Sequence, residues 1–264
     1  MLRNVFLKTL RDQRTPLLWW AVGMILLALY MALLYPSIAK PEFANLLEMY
    51  PASIKALLGE MASLATAEGY VDAYMFSMML PLLFLIYGMI LGSGAIAGEE
   101  ERGTLDWLLS KPLKRWRVVA QKAAGIVVLM AGLAAATWLG MAIGALSADM
   151  KISLARLAEA TFSNMLLGLA FAALALALSC LRGSRGFSAG VAGAIGVASY
   201  FLNTYAPLVE ALKPYRGWSL FYHAQGSRPL LNGLQWEHVA VMAGVALVLF
   251  AVSLLAFERR DVAV

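Results

Sequence analysis

The sequence predicts an all-α integral membrane protein with six transmembrane helices, an N-terminal amphipathic helix and short outer-surface helices. Of its 264 residues, 61% are hydrophobic and only 14% are charged, whereas soluble domains average about 45–50% apolar and about 25% charged. A membrane-crossing helix needs about 20 mostly apolar residues, and apolar runs of that length recur six times along the chain. We therefore expect one transmembrane domain over residues 1–264.

The N-terminal segment 1–16 has apolar residues on one helical face and basic residues around the rest: Arg3, Lys8, Arg11 and Arg14. This pattern favours an amphipathic helix on a membrane surface, and a charged flank to the first span is the alternative. The first span is predicted at 17–35. Its apolar run is longer than the roughly 7–15 residues of a signal-peptide core, so we interpret it as a retained span.

The other five spans are predicted at 75–97, 118–146, 157–181, 187–205 and 238–257. Segment 36–75 has two apolar stretches at helical spacing, interrupted by Pro51, and we expect two short helices at the outer surface. Segment 206–237 contains three prolines and several aromatic residues, which favours short surface or re-entrant helices over a span.

Small residues spaced four apart within the spans predict close helix packing. The predicted packing glycines are Gly88, Gly92, Gly140, Gly144, Gly186 and Gly190. For the stripe that begins at Gly186, packing within the bundle and packing between subunits are both open.

The distribution of basic residues predicts the orientation. With six spans, both termini lie on one side of the membrane, and that side carries 14 of the 21 Lys and Arg residues, against 7 on the other. Because cytoplasmic segments carry the excess of basic residues, both termini are expected in the cytoplasm.

Loop 98–117 is the only long, densely charged segment. It begins with the acidic run Glu99, Glu100 and Glu101, and basic residues follow up to Arg117. Each Lys or Arg at a bilayer centre costs about 2.5–3.5 kcal/mol, while each Leu returns only about 0.3–0.6 kcal/mol. The loop is therefore expected in water.

A short helix is predicted inside this loop. Gly103 ends the preceding helix, Thr104 is a candidate N-cap, and Pro112 ends the new helix. Its three leucines share one face at i, i+3, i+4 spacing: Leu105, Leu108 and Leu109. An apolar face in a water-exposed loop indicates a protein partner.

This stretch resembles the signature loop of the ABC type-2 permease family, the membrane subunits of ATP-driven exporters. The matching features are the acidic run, Arg-Gly-Thr-Leu at 102–105, the two leucines at 108–109, Pro112, the basic pair 114–115 and Lys122. The resemblance implies that loop 98–117 is a coupling helix that docks on a separate cytosolic ATPase. The implied coupling residues are Glu99, Glu100, Glu101, Arg102, Gly103, Thr104, Leu105, Leu108, Leu109, Pro112 and Arg115.

The resemblance also implies the surroundings of the chain. We expect a multi-pass protein of a prokaryotic cell membrane that contacts membrane lipids and pairs with a second permease chain, either an identical or a related one. ATP is expected on the partner ATPase, with no cofactor on this chain. The +5 net charge reflects topology and anionic lipids rather than nucleic acid.

Candidate chemistry within the chain is sparse. No Gly-x-x-x-x-Gly-Lys-Ser/Thr phosphate loop occurs, Cys180 is the only cysteine, and His223 and His238 are too few and too isolated to predict a metal site. We therefore expect a transport subunit rather than an enzyme. The alternatives are an ATPase-independent secondary transporter or channel, a membrane-embedded enzyme, or an accessory subunit for the assembly or maturation of another complex. The apolar spans favour a hydrophobic or amphiphilic transport substrate.

Overall fold

The computed structural model describes residues 4–38, 66–105 and 114–260 of the chain. Throughout these residues the regular structure is helical, and no strand occurs among them. The long helices are α1 (Val5–Ile38), α2 (Ala67–Ala95), α4 (Arg115–Ser147), α5 (Leu154–Arg182), α6 (Arg185–Tyr205) and α9 (Trp236–Arg259). The short ones are α3 (Ala97–Glu101), α7 (Leu220–Gln225), α8 (Pro229–Asn232) and a 3-10 helix at Glu210–Trp218.

Five of the described helices are long and apolar enough to cross a membrane: α1, α2, α4, α5 and α9. Helix α6 occupies the predicted fifth span, 187–205, and has 21 residues, or roughly 32 Å at about 1.5 Å per residue. It is less apolar than the other five because it includes Ser199, Asn203 and Thr204. The all-α membrane architecture is confirmed, and α6 is the least hydrophobic of its long helices.

Helix α1 joins two segments that the sequence analysis treats separately. Residues 5–16 and the first span form one continuous helix despite Pro16. The apolar face of its first turns lies against α4 rather than on a lipid surface: Val5 and Thr9 are buried, and Gln121 accepts hydrogen bonds from the Val5 and Phe6 amides. Because α4 covers this apolar face, the helix does not have to bend at Pro16 to lay the face on a lipid surface.

Helices α2 and α5 form the centre of the bundle. Helix α5 is the most buried span, and it packs against α2, α4, α6 and α9. A Cβ atom placed on Gly88 would overlap the carbonyl oxygen of Gly168, and one on Gly92 would overlap that of Ala172. The two backbones therefore touch, and only glycine permits this approach.

The remaining predicted glycines divide into two groups. A Cβ on Gly140 would lie 2.9 Å from the Ile25 Cα, and one on Gly144 would lie 2.8 Å from the Ala32 Cβ, so this pair sits at the contact of α1 with α4. Gly186 and Gly190 have no atom within 4 Å of their ideal Cβ positions among the described residues. Packing of the Gly186 stripe between subunits stays a prediction.

The end of the bundle opposite the charged loop is closed by short elements, as the prolines of segment 206–237 predict. Helix α2 starts earlier than predicted and contains a π-helical stretch, Asp72–Met79. The buried carboxylate of Asp72 pairs with Arg228 at 2.8 Å, and the Gln225 side chain donates to the Ser77 carbonyl oxygen. The two surface helices predicted in segment 36–75 fall mostly on residues 39–65, which lie outside the described residues.

Replacing Gly88 by alanine is expected to destabilise the bundle. The added methyl must separate α2 from α5, and overpacking of this kind costs about 1–3 kcal/mol. Gly190→Ala is the matched control, because both variants gain about 1 kcal/mol of helix propensity and the space around Gly190 is open. Equal unfolding free energies for the two variants in detergent would contradict the close contact of α2 with α5.

Candidate functional site

The acidic run of the charged loop begins directly after α2. Helix α3 carries Glu99, Glu100 and Glu101 and ends in a turn at Arg102, and Gly103 follows with φ 64°. This positive φ suits glycine and turns the chain out of the helix. Each of the three glutamates points to a different part of the bundle.

Glu99 is the most buried member of the run, with a side chain only 3% exposed. Its carboxylate accepts hydrogen bonds from the Lys122 Nζ atom at 2.8 Å and from the Lys8 Nζ atom at 3.0 Å. The Thr104 hydroxyl donates to the same carboxylate. Lys122 is itself buried, with a side chain 6% exposed. One carboxylate thus joins α1, α3, α4 and the start of the loop.

The neighbouring charges explain the ionisation of Glu99. Burial by itself raises the pKa of its carboxyl group, but the Lys122 charge and the hydrogen bonds from Lys122, Thr104 and Lys8 outweigh burial and lower the pKa to about 2. Glu99 is therefore ionised at neutral pH. It balances the charge of Lys122, which would otherwise lie uncompensated at the end of an apolar bundle.

Glu100 connects the loop to the C-terminal end of α9. Its carboxylate accepts from the Arg260 Nη2 atom at 2.6 Å, and the Arg115 guanidinium donates to the Arg260 carbonyl oxygen at 2.7 Å. Gly183, which ends α5 with φ 65°, lies directly against this pair. A Cβ at position 183 would overlap the Arg260 guanidinium and the Glu100 carboxylate, so a larger residue would displace this pair in addition to straining the backbone.

Glu101 connects the loop to α6. Its carboxylate accepts the backbone N–H of Arg185, the first residue of that helix, at 3.0 Å. A carboxylate at this position satisfies an unpaired amide and interacts favourably with the helix dipole. The three glutamates together fasten α3 to α1, α4, α6 and the end of α9. We call this set of contacts the inner ionic cluster: Lys8, Glu99, Glu100, Glu101, Lys122, Arg185 and Arg260.

The acidic run and Arg115, which the resemblance assigns to the ATPase interface, make contacts inside the chain. Their part in that interface stays a prediction. Arg102 is different, because its side chain is 65% exposed and only 4.0 Å from Glu99 at its nearest. It remains available to a partner.

Leu105 also has a different position from the one implied. Its side chain is 1% exposed and belongs to the chain's own core, so it holds the loop to the bundle and cannot contact a partner as placed. Leu108, Leu109 and Pro112 lie outside the described residues. Their expected partner contact stays a prediction.

A cavity of about 250 Å³ opens beside the inner ionic cluster. Its polar wall includes Lys8, Asp12 and Glu99, and its apolar floor is formed by Leu91, Ile126 and Leu129. The cavity leaves room next to the buried carboxylate at the end of the bundle.

Residues that could carry catalysis are scarce in the described ranges. No group of three or more His, Cys, Asp or Glu side chains that could hold a metal ion occurs there, and Cys180 is buried. The two histidines, which look isolated in the sequence, are in contact in the structure. His223 and His238 form a hydrogen bond. The chain separation of 15 residues concealed this contact.

Comparison with known proteins supplies the family. The model of the ABC-2 family transporter protein matches residues 3–262. The chain belongs to this family. No curated protein matches the sequence.

Membership makes the chain a membrane permease component of an ABC transporter, which is a transport component and not itself catalytic. Permeases of this family generally work with a separate ATPase subunit. The loop motif therefore led to the correct family. It did not reveal the internal partners Lys8, the Arg185 amide and Arg260, which lie 91, 84 and 160 residues along the chain from their glutamates.

Glu99→Gln is expected to destabilise the permease by about 3–5 kcal/mol, because it leaves the Lys122 charge buried without a counter-ion. Unfolding in detergent measures the loss. Glu101→Gln is the matched control, since its exposed carboxylate at a helix N-terminus contributes only about 0.3–1 kcal/mol. Adding Lys122→Met to Glu99→Gln should recover part of the stability, and a further loss in the double variant would contradict the pairing.

Acid should weaken the wild-type protein through Glu99. The folded-state pKa, about 2, lies below the ordinary value of 4.5. The stabilisation is therefore complete above the ordinary value and is lost as the pH falls from there toward about 2. The stability difference between the wild type and Glu99→Gln should shrink across this window. A difference that stays constant would show that the Glu99 charge is not linked to folding.

Proposed function

We propose that this permease is the membrane subunit of an ATP-driven exporter and that a separate cytosolic ATPase moves it through loop 98–117. The single observation that carries the proposal is the way in which the loop is anchored. Three consecutive glutamates, Glu99 to Glu101, contact four different helices or helix ends. A displacement of the loop must therefore displace those helices or break buried ion pairs.

The cost of breaking these pairs favours movement as a unit. Separating Lys122 from Glu99 would leave two uncompensated charges at a buried site, and breaking such a pair costs about 3–5 kcal/mol. The contacts between spans are apolar and lose little when helices slide, because lipid offers similar contacts. Force on the loop would therefore tilt the attached helices and leave the inner ionic cluster intact.

The surface beside the loop fits an acidic partner. Arg102, Lys114 and Arg117 are exposed, and Trp116 is 39% exposed next to them. Glu99 and Glu100 are turned into the bundle and paired there with Lys122 and Arg260, so they do not cancel this positive charge. We infer that the ATPase presents acidic residues around an apolar groove, which would receive Leu108 and Leu109.

A second permease chain completes the proposed transporter. Two chains would enclose a pathway, and their spans would alternate between inward and outward access as the ATPase pair closes. The open face of α6 around Gly186 and Gly190 supports this assembly, because nothing in the described part of the chain covers it. ATP would be bound and hydrolysed on the partner ATPase. Both termini and the loop would face the cytoplasm of a prokaryotic cell.

Leu108→Asp is expected to abolish co-purification of the ATPase, because a carboxylate cannot enter an apolar groove without losing its hydration. Membrane insertion and detergent extraction should be unchanged. Leu208→Asp is the matched control. Leu208 is 77% exposed, and it follows the end of α6 that is far from the loop. Normal recovery of the ATPase with Leu108→Asp would refute docking through the loop.

The orientation has its own test. In a Cys180→Ser background, Arg102→Cys should react with a membrane-impermeant maleimide only after the cells are opened, because its side chain would face the cytoplasm. Lys213→Cys, in the exposed 3-10 helix, should react in intact cells. The reverse result would place the loop outside the cell and exclude a cytosolic ATPase as its partner.

A further inference from the structure

The two histidines of the chain meet at the outer end of the bundle, away from the loop. His223 lies in α7 and His238 in the first turn of α9, and their Nδ1 atoms are 2.9 Å apart. The Nε2 atom of His223 is 2.9 Å from the Gly217 carbonyl oxygen. One imidazole pair thus connects three elements: the 3-10 helix, α7 and α9.

The carbonyl of Gly217 fixes where the protons are. A carbonyl oxygen only accepts, so the Nε2 atom of His223 must carry a hydrogen. In its neutral form His223 therefore accepts at Nδ1, and His238 must donate from Nδ1. The Nε2 atom of His238 then carries the lone pair, and it has no hydrogen-bond partner among the described residues.

The pair consequently has room for one extra proton and not for two. A first proton on the Nε2 atom of His238 leaves every hydrogen bond in place and makes the Nδ1–Nδ1 bond charge-assisted. A second proton would have to bind the Nδ1 atom of His223. Two N–H donors and two positive charges would then face each other across 2.9 Å, and the contact must break.

We propose that His223 and His238 form a proton-binding site that holds the outer segment 210–225 against α9 with zero or one bound proton and releases it when a second proton binds. The proposal is independent of the ATPase. It assigns a role to two residues that the transport mechanism does not use.

The charged groups around the pair have opposite effects on the binding of a further proton. The Tyr222 ring contacts both imidazoles, with its centroid 5.3 Å from each. From the 3-10 helix, the Arg216 guanidinium lies 4.9 Å from the Tyr222 ring centroid and opposes added positive charge. From α9, the Glu237 carboxylate favours it.

The other elements packed against α7 bring little net charge to the pair. On α5, Arg156 and Glu159 neutralise each other at 3.1 Å. Helix α6 contributes Tyr200, which packs on Phe221, and Tyr205 one turn further on. The balance between one and two protons is therefore set mainly by the burial of His238 and by the charge of the other imidazole.

Release of α7 would reach the spans. Gln225, two residues after His223, donates to the Ser77 carbonyl oxygen in the π-helical part of α2. It also accepts from the Asn203 side chain of α6 at 3.0 Å. Loss of the imidazole contact would free α7 from α9 and leave it held by these two hydrogen bonds, by the Ser163 hydroxyl on the Ala224 carbonyl oxygen and by Ser199 at its first turn. A shift of α7 would then reach α2 and α6 through Gln225.

Nuclear magnetic resonance can count the protons directly, because these 264 residues include only two histidines. With ¹⁵N-histidine label in nanodiscs, we expect hydrogens on Nε2 of His223 and on Nδ1 of His238 above the ordinary pKa of about 6.5. The two protonation steps of the pair should be separated by more than about one pH unit. In His223→Gln and His238→Gln, the remaining histidine should titrate in a single step.

Two independent titrations near the ordinary pKa in the wild type would overturn the proposal, and so would the opposite tautomers. Release of the segment needs a second measurement. Spin labels on Lys213→Cys and Val241→Cys in a Cys180→Ser background report the distance from the 3-10 helix to α9. This distance should broaden or lengthen below the second protonation step in the wild type and stay independent of pH in His238→Phe. An unchanged wild-type distance with both imidazoles charged would exclude a releasing role.

Discussion

The buried ion pair of Glu99 with Lys122 is the contact on which the end of this permease beside the charged loop depends. Neither charge is in water, so each is tolerated only because the other is 2.8 Å away. The pair fixes the start of the charged loop relative to α4, and Lys8 adds α1 to the same carboxylate. Once α3 is fixed in this way, Glu100 lies within reach of Arg260, and Glu101 lies within reach of the first amide of α6.

Polar contacts are concentrated at the two ends of the bundle, and the middle is apolar and closely packed. The inner ionic cluster lies at one end, and the Asp72–Arg228 pair and the two histidines lie at the other. Between them, α2 and α5 touch backbone to backbone at Gly88 and Gly168. Apolar surfaces in lipid can shift past each other at little cost, whereas the ends keep fixed partners. This arrangement suits a protein whose helices tilt as units.

The spans and the motif were accessible from the sequence because both depend on local composition. Helices α4, α5, α6 and α9 contain the predicted spans and extend them by at most three residues at either end. The family assignment came from the residues around Gly103. The continuity of α1 through residues 5–38 was not accessible in this way, because a helical pattern does not say whether lipid or protein covers its apolar face.

The sequence by itself determined that the chain crosses a membrane, roughly where it does so and to which family it belongs, because hydropathy and short-range spacing are properties of neighbouring residues. Only the tertiary structure decided the partners of the charges. Glu99 and Lys8 are 91 residues apart and Glu100 and Arg260 are 160 residues apart, and no local pattern relates residues at such separations. A glutamate beside a span looks the same in sequence whether it meets a partner protein or a lysine of its own chain. The packing of the helices decides between these two cases, because it determines which charged side chains are buried next to each other.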